Sequence, residues 1–188
     1  MLFESGNITP LSLMDIVNDN GDSVYYLVKE IPEKVRQAGL ATVKSFGVKS
    51  RFVHLEFFIL NEDQEGLGKK GDVLGLEVNM RPAGGFTPEM YNYSQETDVY
   101  KIWADMIAFD YNTKDIGNSH FCAFYGRRDG KSYKMDDNAI MSKYGHKMVM
   151  WGRIPDALSG AMANQMYVAN FDTEEEMMQY YADLAAQY

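Results

Sequence analysis

Three polar residues alternate with apolar ones in the segment GLEVNMRPAGG (75–85): Glu77, Asn79 and Arg81. Side chains alternate along a strand, so a strand here would put an acid, an amide and a base on one face. An earlier apolar segment, RFVHLEFFIL (51–60), would carry His54 and Glu56 on one face, with Val53, Leu55, Phe57 and Ile59 on the other. If the two segments pair antiparallel and these faces coincide, Glu56, Glu77, the Asn79 amide and the Arg81 guanidinium meet. Carboxylate and amide oxygens are hard ligands, suited to Mg²⁺ or Mn²⁺ and not to a soft metal. Mg²⁺ usually takes one or two carboxylates and fills its other positions with waters and substrate phosphates. Glu56, Glu77 and Asn79 therefore match a metal-bound nucleoside triphosphate. Arg81 could reach a phosphoryl oxygen or a carboxylate with a two-pronged hydrogen bond. The Pro82–Gly85 stretch would let the backbone turn away and approach a ligand closely.

The same alternation belongs to any strand with one solvated face, and spacing alone leaves both readings open. Two features favour chemistry. Glu and Asn are poor strand residues set here in a Leu/Val-rich strand. Glu56 lies between Leu55 and Phe57, where a partly buried carboxylate needs a partner, and a metal is one. His54 is read as a packed core histidine, with substrate contact as the alternative. Arg127, Arg128 and Arg153 are read as solvated, with an acidic substrate as the alternative. Cys122, in an apolar strand, is read as a small core residue.

The elements that must position these residues follow from periodicity and punctuation. Strands are expected over 22–31, 51–60, 72–80, 120–128, 146–155 and 164–171. Helices are expected over 32–47, with Gly47 as its C-terminal cap, and 87–95, with Thr87 as N-cap and Pro88 first in the helix. Two further helices are expected over 98–109 and 137–145, and a closing one over 172–188. In 98–109, Asp98 caps and Val99, Ile102, Trp103, Met106 and Ile107 form the expected buried stripe. Residues 111–118 break the pattern and suit a subdomain boundary. The class is α+β.

The chain has 188 residues and a formal net charge of −9, which argues against broad nucleic-acid binding. Much of the acid falls in solvated-looking places such as NEDQEG and DTEEE. No apolar run reaches membrane-spanning length. The N-terminal MLFESGNITP lacks the pattern of a secretory signal. With one cysteine, no internal disulfide can form, and a reducing, cytoplasmic setting is the simplest expectation.

FVHLEFFIL followed by GLEVNMRPAGG resembles the last two site-bearing strands of the ATP-grasp ligases, a superfamily that includes biotin carboxylase, carbamoyl phosphate synthetase and several purine-biosynthesis ligases. Its motif is a Glu on one strand, here Glu56, then Glu-x-Asn-x-Arg on the next, here Glu77, Asn79 and Arg81. The resemblance implies that the two Glu and the Asn bind the Mg²⁺ ions on ATP. It implies that Arg81 contacts the transferring phosphate or acyl-phosphate. GGFTPEMYNYSQETDVYKIWADMI also resembles bacterial ATP-grasp proteins of the carboxylate–amine ligase or carbamoyl phosphate synthetase-like kind. On this reading residues 1–112 are the C-terminal portion of an ATP-grasp domain. Residues 113–188 are a small α+β domain resembling the biotin carboxylase C-terminal region. The family carries its phosphate-binding lysines, glycine-rich lid and adenine-reading hinge upstream of these strands. The chain is therefore expected to be the C-terminal half of such an enzyme, alone probing only one wall of the site and inactive by itself. ATP and a small carboxylate are the implied ligands of the full-length parent. A homo-oligomer formed through an exposed edge is the expected assembly, with no nucleic acid or membrane partner. A non-catalytic assembly module, or a half-site completed by a partner chain, is the alternative.

Overall fold

The computed structural model describes residues 5–6, 21–49, 51–110 and 120–188. Among them the α+β class is realised as seven strands and six helices. In chain order these are β1 (Ser5–Gly6), β2 (Ser23–Leu27), α1 (Glu33–Ser45), β3 (His54–Ile59), β4 (Val73–Asn79), α2 (Thr87–Gln95) and α3 (Val99–Phe109). They continue as β5 (Phe121–Arg127), α4 (Asp137–Tyr144), β6 (Met148–Arg153), α5 (Asp156–Met162), β7 (Gln165–Phe171) and α6 (Glu174–Ala185). The chain divides into two compact units, one built on Glu30–Pro88 with α3, the other on β1, β2, Glu89–Thr97 and the elements from β5 onward.

The first unit contains the two-stranded antiparallel sheet β3–β4, so the pairing on which the shared polar face depends is present. Helix α1 closes as its sequence predicts: Gly47, at φ +61, takes the left-handed position after the last turn, and its N–H bonds back to Lys44 O. Lys34 near its start donates to Gly71 O at 2.9 Å, tying the helix to the turn before β4. Helix α3 begins at Asp98, whose carboxylate accepts from Lys101 N at 2.9 Å. Its buried face differs from the expected stripe. Val99, Ile102 and Asp105 are buried, whereas Trp103 is exposed on one side while stacking on Phe52, and Ile107 is 69% exposed. Asp105 can be buried because Lys101, one turn back, holds its carboxylate from 2.9 Å. Helix α2 includes Thr87 as a helical residue rather than as its cap. Phe58, Ile59, Leu76 and Val78 of the strand pair are also exposed, so this unit leaves much apolar surface uncovered.

The second unit holds a five-stranded antiparallel sheet in the order β1–β2–β5–β7–β6. One core cluster joins Val24, Ala123, Tyr125, Tyr167, Ala169 and Phe171 of the sheet to Ile140 and Tyr144 of α4 and to Met177, Tyr180, Tyr181 and Leu184 of α6. Each large side chain removed from water there contributes about 1.5–3 kcal/mol. The tyrosines keep their hydroxyls paired: Tyr180 donates to Tyr167 O at 3.0 Å, Tyr181 to Tyr25 O at 2.9 Å, and Tyr144 to Asp183. Thr173 caps α6 by accepting from Glu176 N, with Glu174, Glu175 and Glu176 in the first turn. Cys122 is fully buried, as expected of a core residue, and burial pushes its thiol pKa up. Helix α5 was not foreseen. It is short, its Ser and Gly are weak helix formers, and Pro155 sets its first turn. No helix among the described residues is long and apolar enough to cross a membrane.

Candidate functional site

The ladder between β3 and β4 decides which polar residues meet. His54 pairs with Asn79, Leu55 with Val78, and Glu56 with Glu77; the register then slips, and Phe57 pairs with Gly75. Directly paired residues project from the same face, so His54, Glu56, Glu77 and Asn79 share one side of the sheet. The slip leaves Leu76 as one extra residue in β4, a bulge that bends and twists the strand beside the Glu pair. The sequence pattern alone predicts an uninterrupted alternation there.

Glu56 is half-buried, its side chain 38% exposed, and Glu77 is exposed. The partner of Glu56 is His54, whose Nε2 lies 3.3 Å from Glu56 Oε1. His54 thus shares the face of Glu56 and, with its side chain 25% exposed, is not a packed core histidine. The signal was the His-x-Glu spacing, which puts both side chains on one face of a strand. Two atoms on this face, His54 Nδ1 and Asn79 Nδ2, are buried without a hydrogen-bond partner.

Arg81 lies beyond the end of β4. It is exposed, and its Nη1 donates to Pro82 O at 3.0 Å. The structure therefore brings Glu56, Glu77 and Asn79 onto one face and holds Arg81 on the local backbone of the following turn. Gly85, at φ +62, takes that turn through a conformation that favours glycine.

Among the described residues, no group of three or more His, Cys, Asp or Glu is arranged to hold a metal ion. The strand face instead offers a carboxylate pair and a neighbouring amide, a donor set too small for an all-protein cage. It fits a hydrated Mg²⁺ that also takes oxygens from a ligand. The unpartnered Asn79 atom is the amide nitrogen, a donor that wants an acceptor and not a cation, so only the Asn79 oxygen could serve the metal.

A separate cleft of about 760 Å³ lies in the second unit, lined in part by Arg127, Tyr133, Asp137, Arg153 and Tyr167. Its charged groups are engaged with the protein itself. Arg153 makes two hydrogen bonds to Asp129 at 2.7 and 2.6 Å, and Tyr167 donates to Asp137. Arg127 and Arg128 are not the solvated residues expected. Arg127 is 5% exposed, donating to Leu184 O and Met135 O and lying 4.1 Å from the Tyr133 ring centroid. Arg128 donates to Gly21 O, Ser159 O and Gly160 O. Each guanidinium fork gathers backbone carbonyls from separate segments. For Arg127 these are Leu184 O in the last turn of α6 and Met135 O. For Arg128 they are Gly160 O and Ser159 O of α5 with Gly21 O, Ser159 O also accepting from Ala163 N.

No protein-family model and no curated protein sequence matches the chain. Among solved structures it is similar to the crystal structure of phosphoribosylglycinamide synthetase from Anaerococcus prevotii, with a TM-score of 0.57 and 12% identity. The match covers 86% of this chain and 43% of that one, so the chain spans less than half the synthetase's length. At that identity the likeness is one of fold.

Proposed function

We propose that this chain carries the metal-and-phosphate wall of an ATP-dependent carboxylate ligase of the ATP-grasp type. The observation that carries the reading is the register that sets Glu56 directly opposite Glu77, with Asn79 next on the same face. The fold likeness to phosphoribosylglycinamide synthetase supports it. So does the Glu…Glu-x-Asn-x-Arg spacing.

In the parent reaction the γ-phosphoryl of ATP passes to a carboxylate oxygen and ADP leaves. An amine or other nucleophile then attacks the acyl carbon and inorganic phosphate leaves. Glu56 and Glu77 would hold Mg²⁺ or Mn²⁺ as an anionic pair, with the Asn79 oxygen as a neutral ligand. The bound cation would spread the negative charge of the triphosphate. Arg81, exposed and donating from Nη1 to Pro82 O, would turn its fork to the transferring phosphoryl group. On this reading residues 1–112 are the grasp portion and residues 113–188 the small domain that follows it, with β2 of the first pairing with β5 of the second. A reducing cytoplasm suits the lone buried Cys122.

Isothermal titration of Mg·ATP tests this reading. Binding that Glu77→Gln or Asn79→Ala abolishes supports it; absence of binding at millimolar nucleotide sinks the idea that this chain alone forms an ATP site.

A second reading is an assembly module, completed by a second copy or a partner chain. The apolar side chains that the first unit leaves exposed favour it, among them Phe58, Ile59, Leu76, Ile107 and Phe109. Sedimentation equilibrium separates the cases: a monomer up to high micromolar concentration removes the self-association form of this reading.

A further inference from the structure

Two buried atoms on the proposed site face have no partner, and they belong to residues that pair directly across the ladder: His54 Nδ1 and Asn79 Nδ2. The other nitrogen of the same imidazole, Nε2, lies 3.3 Å from Glu56 Oε1. We infer that His54 is a positioning residue for this site, donating from Nε2–H to Glu56 and accepting on Nδ1 from the Asn79 amide. This rests on the proposed role of Glu56, Glu77 and Asn79.

Donor and acceptor counting selects this arrangement. Asn79 Nδ2 is a donor only, so it needs a lone pair opposite it. Glu56 Oε1 is an acceptor only, so it needs an N–H. A neutral imidazole protonated on Nε2 supplies both. The Nδ1–H tautomer would set donor against donor at Asn79 and lone pair against carboxylate at Glu56. Directly opposed residues in an antiparallel pair have Cβ atoms about 4.5–5.5 Å apart, within reach of an imidazole–carboxamide bond after a small side-chain rotation.

The consequence is positional. One ring holds the Glu56 carboxylate in place, and it fixes the Asn79 amide with its nitrogen on His54. The Asn79 oxygen is then turned away from the ring, toward the Glu pair. The competing arrangement has the amide flipped, its oxygen accepting from Nδ1–H and its nitrogen facing the glutamates. That arrangement would deny the site its neutral oxygen ligand.

Long-range ¹H–¹⁵N spectra of the metal-free chain, recorded above the ordinary imidazole titration range, separate the two. The expected result is His54 as the Nε2–H tautomer, with an Nδ1 signal that moves toward that of an unbonded nitrogen in Asn79→Ala. An Nδ1–H tautomer, or an Nδ1 signal that Asn79→Ala leaves in place, overturns the inference. Mn²⁺ titration followed by electron paramagnetic resonance gives a second readout. His54→Phe is expected to weaken Mn²⁺ binding about tenfold or more, the range for losing an outer partner of metal ligands. His54→Gln, which keeps one donor and one acceptor, is expected to recover most of it. Equal Mn²⁺ affinity in His54→Phe and wild type overturns the positioning role. A wild-type affinity that Glu77→Gln leaves unchanged refutes the proposed metal site instead, and the tautomer spectra still decide the His54–Asn79 bond.

Discussion

Glu56 and Glu77 stand directly opposite each other on adjacent antiparallel strands, and the ladder slips by one residue immediately after them. Opposed like charges cost a sheet roughly 0.2–1 kcal/mol. A pair placed at that cost is expected to show a trade between stability and binding. Glu77→Gln should stabilise the metal-free chain by roughly 0.2–1 kcal/mol while removing its affinity for a divalent cation. Urea unfolding with excess chelator measures the first effect. A Glu77→Gln chain less stable than wild type would mean that the carboxylate is held by a protein partner and is not a site in waiting.

Much of this face was legible in the sequence because strand alternation is strictly local. Glu77 and Asn79 fall two residues apart, as do His54 and Glu56, and only the pairing of the two strands had to be supplied. The bulge was not legible, since Leu76 is as apolar as its neighbours and nothing in its type signals an extra residue. The position of Arg81 depends on where β4 ends, and element ends are poorly marked by composition. In the helices, capping chemistry identified Asp98 and Gly47 correctly and narrowed the cap of α6 to Asp172 or Thr173, of which the structure uses Thr173. The buried stripe of α3 failed because burial is set by what packs against a helix, and Asp105 could go inward once Lys101 neutralised it. Arg127 was missed for a related reason: its partners are carbonyls at Met135 and Leu184, which no local pattern connects to β5.

Arg127 should be structural. Arg127→Met removes the donors to Leu184 O and Met135 O and is expected to cost about 2–4 kcal/mol in urea unfolding. Arg127→Lys should recover little, because a single ammonium cannot span the same carbonyls with the same geometry. A loss below about 0.5 kcal/mol for Arg127→Met, typical of a surface substitution, would contradict this role.

The aromatic core predicts the alkaline limit of stability. Burial, together with the hydrogen bond to Asp183, pushes the Tyr144 phenol from 10.0 up to about 12. Burial likewise raises Tyr125, Tyr167 and the fully enclosed Tyr180. The folded state keeps these phenols neutral while the unfolded chain ionises them near their ordinary value. Their contribution is therefore whole below about pH 10 and is lost as pH climbs from there through the raised folded values. Urea midpoints measured upward from neutral pH should begin to fall near pH 9, where the buried Cys122 thiol starts to ionise in the unfolded chain, and fall more steeply above about pH 10. A midpoint unchanged well above that pH would contradict the assignment.

The central claim is a location: a divalent cation held between β3 and β4. Mn²⁺ added at substoichiometric level with a non-hydrolysable ATP analogue, followed by paramagnetic broadening of assigned amide signals, tests it directly. Broadening centred on His54–Glu56 and on Glu77–Asn79, and absent in Glu77→Gln, is the predicted result. Broadening centred instead on the acidic loop at Glu62–Glu65 or on the α6 start at Glu174–Glu176, or none at all, would contradict it.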